Sequence, residues 1–289
     1  MIAEPSDSAL MTSRVRVRIV DGAGADRLYA TRGVESAEGR APNGLPYRAG
    51  ALVPARPWRP ASAVEQAALL VPSGRHPVGT TIEVLPAPPE LVATFRAFDF
   101  APGRTLAEHQ TRIPEDAYRR ALYDKLPLLE PLIESIDGLQ LLGICVQNGG
   151  LWSTTTHVDG DGHETFSGLH VDNFDRRTHG ERHLARRQVS INLGHCDRFF
   201  VFALPTVDEL PPIPAGEPAY IGYTRALFSR APQTSLYKVR VRPGEMYFAP
   251  TDNLIHDGTT VGGDRPDLTL NLRGYFRADA PSLDGKRRF

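Results

Sequence analysis

His170 and Asp172 stand two residues apart in the run Gly168-Leu-His-Val-Asp172. In an extended segment alternate side chains share a face. An imidazole and a carboxylate would then project side by side as two arms of a metal site. His256, in Asn253-Leu-Ile-His256, is the candidate third arm. Two imidazoles and one carboxylate on one side of an ion leave open positions opposite, the facial set that suits Fe(II) and O2. A bidentate co-substrate on those positions needs a cation for its far carboxylate, and Arg grips a carboxylate with two parallel bonds. Arg273 is the candidate for that grip, and Arg265 in the preceding turn competes with it.

Those residues need a scaffold of strands. From Asp137 onward the chain reads as short β-prone runs separated by turn signals. Leu139–Gln147 is a nearly continuous apolar run, as a buried strand requires. Leu151–His157 continues or pairs with it, Gly160–Glu164 is a turn, and Thr165–Asp172 is expected to be the strand that carries the motif. Asn173–Arg186 reads as a polar, basic loop. Arg187–Leu193, Arg198–Leu204, Ser235–Val241 and Met246–Ala249 follow as strands, with a tight turn at Arg242-Pro-Gly-Glu245. Pro205–Pro218 is a proline-rich loop and Asp257–Arg265 a Gly-rich turn. Asp267–Phe276 alternates cleanly, so Thr269, Asn271, Arg273 and Tyr275 share one face and Leu268, Leu270 and Leu272 the other. Seven or eight such strands predict a mainly β sandwich or barrel.

The N-terminal portion is more mixed. Residues 1–13 read as a tail, Ser13–Val20 as a strand with one wet face, and Asp21–Pro60 as a long irregular connection. Ala61–Leu70 and Pro88–Phe98 are expected helices, Val71–Val78 a turn and Thr80–Leu85 a strand. Pro114–Ile136 carries Ala117, Leu122, Leu126, Leu129, Leu132 and Ile133 near helical spacing. It predicts a helix that Pro127 and Pro131 kink or divide. We divide the chain into 1–136, a helical and irregular elaboration, and 137–289, the core, as one integrated domain. The last stretch, Arg277–Phe289, is a polar tail.

Composition narrows the classes. The chain has 289 residues and a formal net charge of -1, against the basic excess of a nucleic-acid binder. No apolar run is long enough to span a bilayer. The N-terminus shows no basic segment followed by an apolar stretch. Only Cys145 and Cys196 are present, and neither lies in a Cys-x-x-Cys pair, so a reducing cytoplasm is expected and a disulfide framework is not. No Walker, dinucleotide or Gly-x-Ser-x-Gly fingerprint occurs.

Further candidates surround the triad. His157-Val-Asp159 is a second His-x-Asp, but Gly160-Asp-Gly162 follows it and puts it at a strand end or in a loop. Gln188, Ser190 and Asn192 share one face of their strand, and Asn192 is a candidate hydrogen-bond partner for the co-substrate. Arg176 and Arg177 could grip a substrate carboxylate, and Trp152 and Phe174 could form an apolar wall. Each has a plain structural alternative: a solvated basic loop for the arginines and core packing for the aromatics.

The order His170-x-Asp172, His256, then an Arg on the following strand resembles the Fe(II)/2-oxoglutarate-dependent dioxygenases. The approach Arg242-Pro-Gly-Glu-Met-Tyr-Phe-Ala-Pro250 before Leu254-Ile-His256 is similar to that family's Pro-Gly turn and apolar strand before its distal histidine. The resemblance covers about residues 140–276. It implies a double-stranded β-helix (jelly roll, cupin-like) with N-terminal and flanking helices. It implies that 2-oxoglutarate chelates the iron, is decarboxylated to succinate with O2, and drives attack on an unactivated C–H bond. By position, His170, Asp172 and His256 would be the iron ligands and Arg273 the 2-oxoglutarate anchor. The family's halogenases lack the carboxylate, so Asp172 points to hydroxylation, desaturation, epoxidation or ring closure. The expected substrate is a small molecule such as an amino acid or natural-product intermediate, with no nucleic acid and no membrane. The rival classes are a cupin-type metalloenzyme that does not use 2-oxoglutarate and a non-catalytic jelly-roll binding protein.

Overall fold

The computed structural model describes residues 12–277 except 21–23, 25, 38, 40, 42, 73, 98–119 and 122. In chain order the early strands are β1 (Arg16–Ile19), β2 (Leu28–Arg32), β3 (Val34–Ser36), β4 (Leu52–Pro54), β5 (Arg59–Pro60), β6 (Leu70–Val71) and β7 (Thr81–Pro86). Then come β8 (Ile133–Gln147), β9 (Thr156–Val158), β10 (Glu164–Phe166), β11 (Arg187–Asn192) and β12 (Arg198–Ala203). The last are β13 (Ser235–Val241), β14 (Glu245–Ala249), β15 (His256–Thr259) and β16 (Asp267–Phe276). Helices among the described residues include α1 (Ala63–Leu69), α2 (Pro89–Arg96) and α3 (Ala219–Arg230).

The architecture is mainly β, with two principal sheets. The larger has the order β6-β1-β7-β14-β11-β16-β8 and the smaller β15-β12-β13-β2-β5. They face each other across one core. Val17, Ile82, Val84, Tyr247 and Ala249 come from the larger sheet, and Leu28, Phe200, Phe202, Tyr237 and Val239 from the smaller. The outer face of the larger sheet buries Val189, Ile191, Met246, Phe248, Leu268, Leu270 and Leu272 against Leu91, Val92 and Phe95 of α2. The outer face of the smaller buries Val201, Ala203 and Leu236 against Tyr223, Leu227 and Phe228 of α3.

Strand alternation does the sorting. On β16 the leucines at 268, 270 and 272 pack outward, so Thr269 and Asn271 turn inward, where they line a cavity between the sheets. On β12 Val201 packs outward and Phe200 and Phe202 inward, which places Arg198 inward as well.

Several expected elements recur almost residue for residue: β7, β11, β12, β13, β14 and β16, with α1 and α2 inside their expected ranges. α1 owes its start to a capping box. Ser62 Oγ accepts the Glu65 N–H, and the Glu65 carboxylate accepts the Ser62 N–H.

Other expectations need correction. The described part of Pro114–Ile136 does not continue as a long helix. A 3-10 turn covers Leu126–Leu132, and β8 starts at Ile133. Pro127 and Pro131 each lack the donor that a continuing helix needs. Residues 114–119 and 122, with Ala117 and Leu122, lie outside the described residues, as do Phe98, most of the first tail and nearly all of the last. The apolar run Leu139–Gln147 is a strand at the edge of the larger sheet, and its side chains are half-buried or exposed instead of sealed.

Asp21–Pro60 was expected to be irregular, yet it holds β2 to β5. Leu28 and Ala30 are buried where β2 pairs with β13. The expected strand Thr165–Asp172 stops at Phe166. The chain then turns at Gly168, with φ +67°, where a Cβ would lie 2.5 Å from the Leu52 carbonyl. The expected turn after His256 begins as β15. Finally, α3 had no counterpart in the sequence reading. Pro218 before its first turn and Tyr223 and Leu227 one turn apart were the available signals.

Candidate metal and carboxylate site

His170 and His256 meet through a single antiparallel bridge instead of a shared strand. The His170 N–H donates to the His256 carbonyl at 3.0 Å, and the His256 N–H to the His170 carbonyl at 2.8 Å. Paired residues of a bridge project to the same side, and the two ring centroids lie 4.5 Å apart. Each ring is set by the same local device. His170 Nδ1 donates to the Gly168 carbonyl at 2.8 Å and His256 Nδ1 to the Leu254 carbonyl at 2.9 Å. That tautomer leaves both Nε2 lone pairs free, the second-sphere arrangement common behind metal-bound imidazoles.

Asp172 closes the set. Its Oδ1 is 3.7 Å from His170 Nε2, and its Oδ2 is 3.8 Å from His256 Nε2. Its backbone is pinned by the Asp172 N–H to the Thr251 carbonyl and by Arg182 Nη1 to the Asp172 carbonyl. All three residues are buried, and their ligand atoms lie within 4.8 Å of one another. Asp172 Oδ2 is buried and has no hydrogen-bond partner. A buried anionic oxygen without a partner is costly. A cation between the two imidazoles and this oxygen would remove that cost.

The protonation states suit ligands. Burial pushes both imidazoles below their ordinary value, so they are neutral donors near pH 7. Burial pushes Asp172 up, but His256, His170, the Thr251 hydroxyl and Arg273 together hold it below the usual carboxyl range.

The triad opens on a cavity of about 250 Å³ between the sheets. Many of its lining residues are polar: Gln147 from β8, Thr154 to Thr156 from the following segment, Gln188 from β11, and Asp267, Thr269 and Asn271 from β16. Tyr247, Arg198 and Asp257 also line it, beside His170, Asp172 and His256. Burial pushes the Tyr247 hydroxyl and the Asp267 carboxyl up, and Arg198 opposes both shifts.

The sequence candidates divide clearly. His170, Asp172 and His256 come together. Phe174 lines the cavity although it is 51% exposed. Arg273 is fully buried and is not among the cavity-lining residues. Its Nη2 donates to Asp252 Oδ1, and its guanidinium sits 4.6 Å from the Phe174 ring centre. Arg265 is exposed in the turn before β16. Asn192 bonds the Cys196 and Val241 carbonyls and the Gly194 N–H, so it ties a turn together away from the cavity lining.

Trp152 lies under Arg56, 4.8 Å from its guanidinium carbon to the ring centre. Arg176 is exposed with φ 50°, and Arg177 reaches the Tyr275 hydroxyl at 3.5 Å. Neither arginine lines the cavity. The second His-x-Asp separates. His157 packs near Tyr220, while Asp159 is exposed and accepts the Asp161 and His163 N–H groups of a local turn.

Arg198 is a cavity residue that the sequence did not mark. Arg198 is 5% exposed, and its Nη1 reaches Ser190 Oγ at 3.3 Å and Asp267 Oδ2 at 3.7 Å. Its Nε has no partner. The available signal was a cation at the head of the apolar run Phe199-Phe-Val-Phe-Ala203, on the same face as Phe200 and Phe202.

No family model and no curated protein matches the chain. Among solved structures it is similar to the epimerase SnoN, in a crystal structure with Fe3+, alpha ketoglutarate and nogalamycin RO. The identity is 17% and the TM-score 0.39, over 72% of this chain and 86% of that chain. A likeness that distant carries no weight here; the site does.

Proposed function

We propose that this protein is an Fe(II)- and 2-oxoglutarate-dependent oxygenase of small molecules, built on a jelly-roll core. The observation that carries the reading is the convergence of His170 and His256 by a two-way backbone bridge, with both Nε2 atoms and the unpartnered Asp172 Oδ2 turned to one point. The strand orders support the jelly roll: β8-β16-β11-β14 in one sheet faces the His170 bridge, β15, β12 and β13 in the other.

His170, Asp172 and His256 would hold the ion. Bound iron with 2-oxoglutarate supplies O2 activation and oxidation of a C–H bond. The chain's own residues set the stage for that chemistry. The imidazoles stay neutral, and the Nδ1 bonds fix their direction. Arg198, buried with an unpartnered Nε, is the cation best placed for the far carboxylate of 2-oxoglutarate, with Ser190 and Tyr247 beside it. This assignment replaces Arg273 and Arg265 as the anchor, because the first is spent on Asp252 and the second is exposed outside the cavity lining. The cavity of about 250 Å³ lies near the lower end of small-molecule pockets, roughly 300 Å³. Only a small substrate, or the reacting end of a larger one, fits with the co-substrate.

The test is anaerobic. Fe(II) and 2-oxoglutarate added to the protein should produce a visible metal-to-ligand charge-transfer band, and His170→Ala and His256→Ala should abolish it. Metal binding without a 2-oxoglutarate-dependent band would favour a metalloenzyme that uses no oxo-acid. Absence of metal binding would leave a non-catalytic binding protein.

A further inference from the structure

Arg273 lies beside Asp172, outside the cavity lining, among three carboxylates. Its Nη2 donates to Asp252 Oδ1, and its Nη1 donates to Thr251 Oγ1 at 3.4 Å. The same Nη1 is 3.7 Å from Asp172 Oδ2, and Nε is 3.7 Å from Asp175 Oδ1. Both of those distances exceed hydrogen-bond length. Asp175 is engaged elsewhere, by the Nε, Nη2 and backbone N–H of Arg186. Asp252 is held from the other side, where its carbonyl accepts Arg182 Nη1 at 2.8 Å and its Oδ2 accepts the Asp175 N–H at 3.3 Å. Phe174, which lines the cavity, packs against the guanidinium.

A guanidinium this close to a carboxylate normally forms a two-bond pair with it. Here it does not, and Asp172 Oδ2 keeps no partner. A hydrogen bond from Arg273 would occupy lone pairs that a metal ligand must offer. We propose that Arg273 and Asp252 are paired positioning residues: Asp252 holds the guanidinium off Asp172, so that Asp172 Oδ2 stays free to bind the metal. Removing the charge of Asp252 leaves Asp172 as the nearest carboxylate that no other cation engages, and Arg273 then turns to it and competes with the ion. The inference rests on the metal reading above and assigns the burial of Arg273 a purpose within it.

The test is Ni(II) binding by calorimetry to the full chain, with no co-substrate present. Asp252→Asn keeps the shape and removes the charge, and its Ni(II) affinity should fall at least tenfold. The double variant D252N/R273M removes the competitor as well and should return to within about threefold of the unaltered protein. A merely structural role would move Ni(II) affinity only in step with the melting temperature, which the double variant also restores by removing the lone buried cation, whereas competition by Arg273 lowers the affinity of Asp252→Asn at temperatures where that variant is fully folded. Equal Ni(II) affinity of Asp252→Asn and the unaltered protein would overturn the proposal. So would a double variant as weak as the single.

A second measurement needs no substitution. In ¹⁵N spectra of arginine side chains, Arg273 should stay slowly exchanging and unshifted when Zn(II) is added. A large shift on Zn(II) addition would mean that it pairs with Asp172 in the metal-free protein, against the proposal. An unaltered protein that binds no divalent ion would refute the metal reading itself, and this inference with it.

Discussion

Arg198 offers the sharpest test of how the cavity works. Arg198→Gln keeps a polar but shorter side chain and removes the cation. A buried, hydrogen-bonded charge pair typically loses about 2–5 kcal/mol when one partner is truncated. At about 1.4 kcal/mol per tenfold, that range spans roughly 30-fold to more than 1,000-fold. The deep, nearly sealed position of Arg198, 5% exposed, argues for the upper half, so 2-oxoglutarate affinity should fall by at least about 300-fold. Arg198→Lys keeps the charge without the fork and should fall between.

The substitution also strips Asp267 of the guanidinium 3.7 Å away. Burial already pushes that carboxyl up, and Arg198 is the group that opposes the shift. Arg198→Gln should therefore destabilise the fold as well, and R198Q/D267N, which leaves no lone charge, should recover the melting temperature without recovering 2-oxoglutarate affinity. The assay is titration of the anaerobic Fe(II) complex with 2-oxoglutarate, following the charge-transfer band. Arg265→Ala is the control, since its side chain is exposed, and it should titrate like the unaltered protein. If Arg198→Gln titrates normally while Arg265→Ala does not, the assignment of the anchor is wrong.

Two more expectations come from local physics. Gly168→Ala forces a side chain into a left-handed conformation, φ +67°, with its Cβ 2.5 Å from the Leu52 carbonyl. The conformation alone costs roughly 1–2 kcal/mol. Because the Gly168 carbonyl orients His170, Ni(II) affinity should fall along with the melting temperature, and a loss of stability with unchanged metal binding would show that the turn does not aim the ring. Glu65 predicts a pH effect. Burial pushes this carboxyl up, but Arg59 and the Ser62 cap override it and hold it at about 2, below the model-compound value of 4.5. The folded value is the lower one, so the stabilisation is complete above pH 4.5 and disappears as pH falls toward 2. The full shift corresponds to roughly 3 kcal/mol. Arg59 is about half exposed, and solvent screening reduces the figure to roughly 1–2 kcal/mol. Glu65→Gln should flatten this part of the acid-unfolding curve.

The sequence alone determined a good deal. Strand alternation is a local property, so β16 could be read with its leucines on one face and Thr269, Asn271 and Arg273 on the other. The His-x-Asp spacing and the apolar approach to His256 marked the three residues that the structure brings together. The Pro-Gly turn before β14 was equally legible.

Tertiary structure decided the rest, because it depends on pairing between distant segments. Nothing in the order of residues says that His170 joins His256 by one bridge after Gly168 has ended the strand. The burial of Leu139–Gln147 depended on its place in the sheet, and at an edge an apolar run stays half-exposed. Most of all, the use of each arginine depended on what stood across from it. Arg273 lies on the inward face as its parity requires, but Asp252, from a neighbouring 3-10 turn, takes its charge. Arg198 looked like an ordinary strand terminus, yet the facing sheets bury it beside Ser190 and Tyr247. Spacing assigns a side chain to a face. Only the packed fold shows which opposite charges it meets there and which cation is left for a ligand.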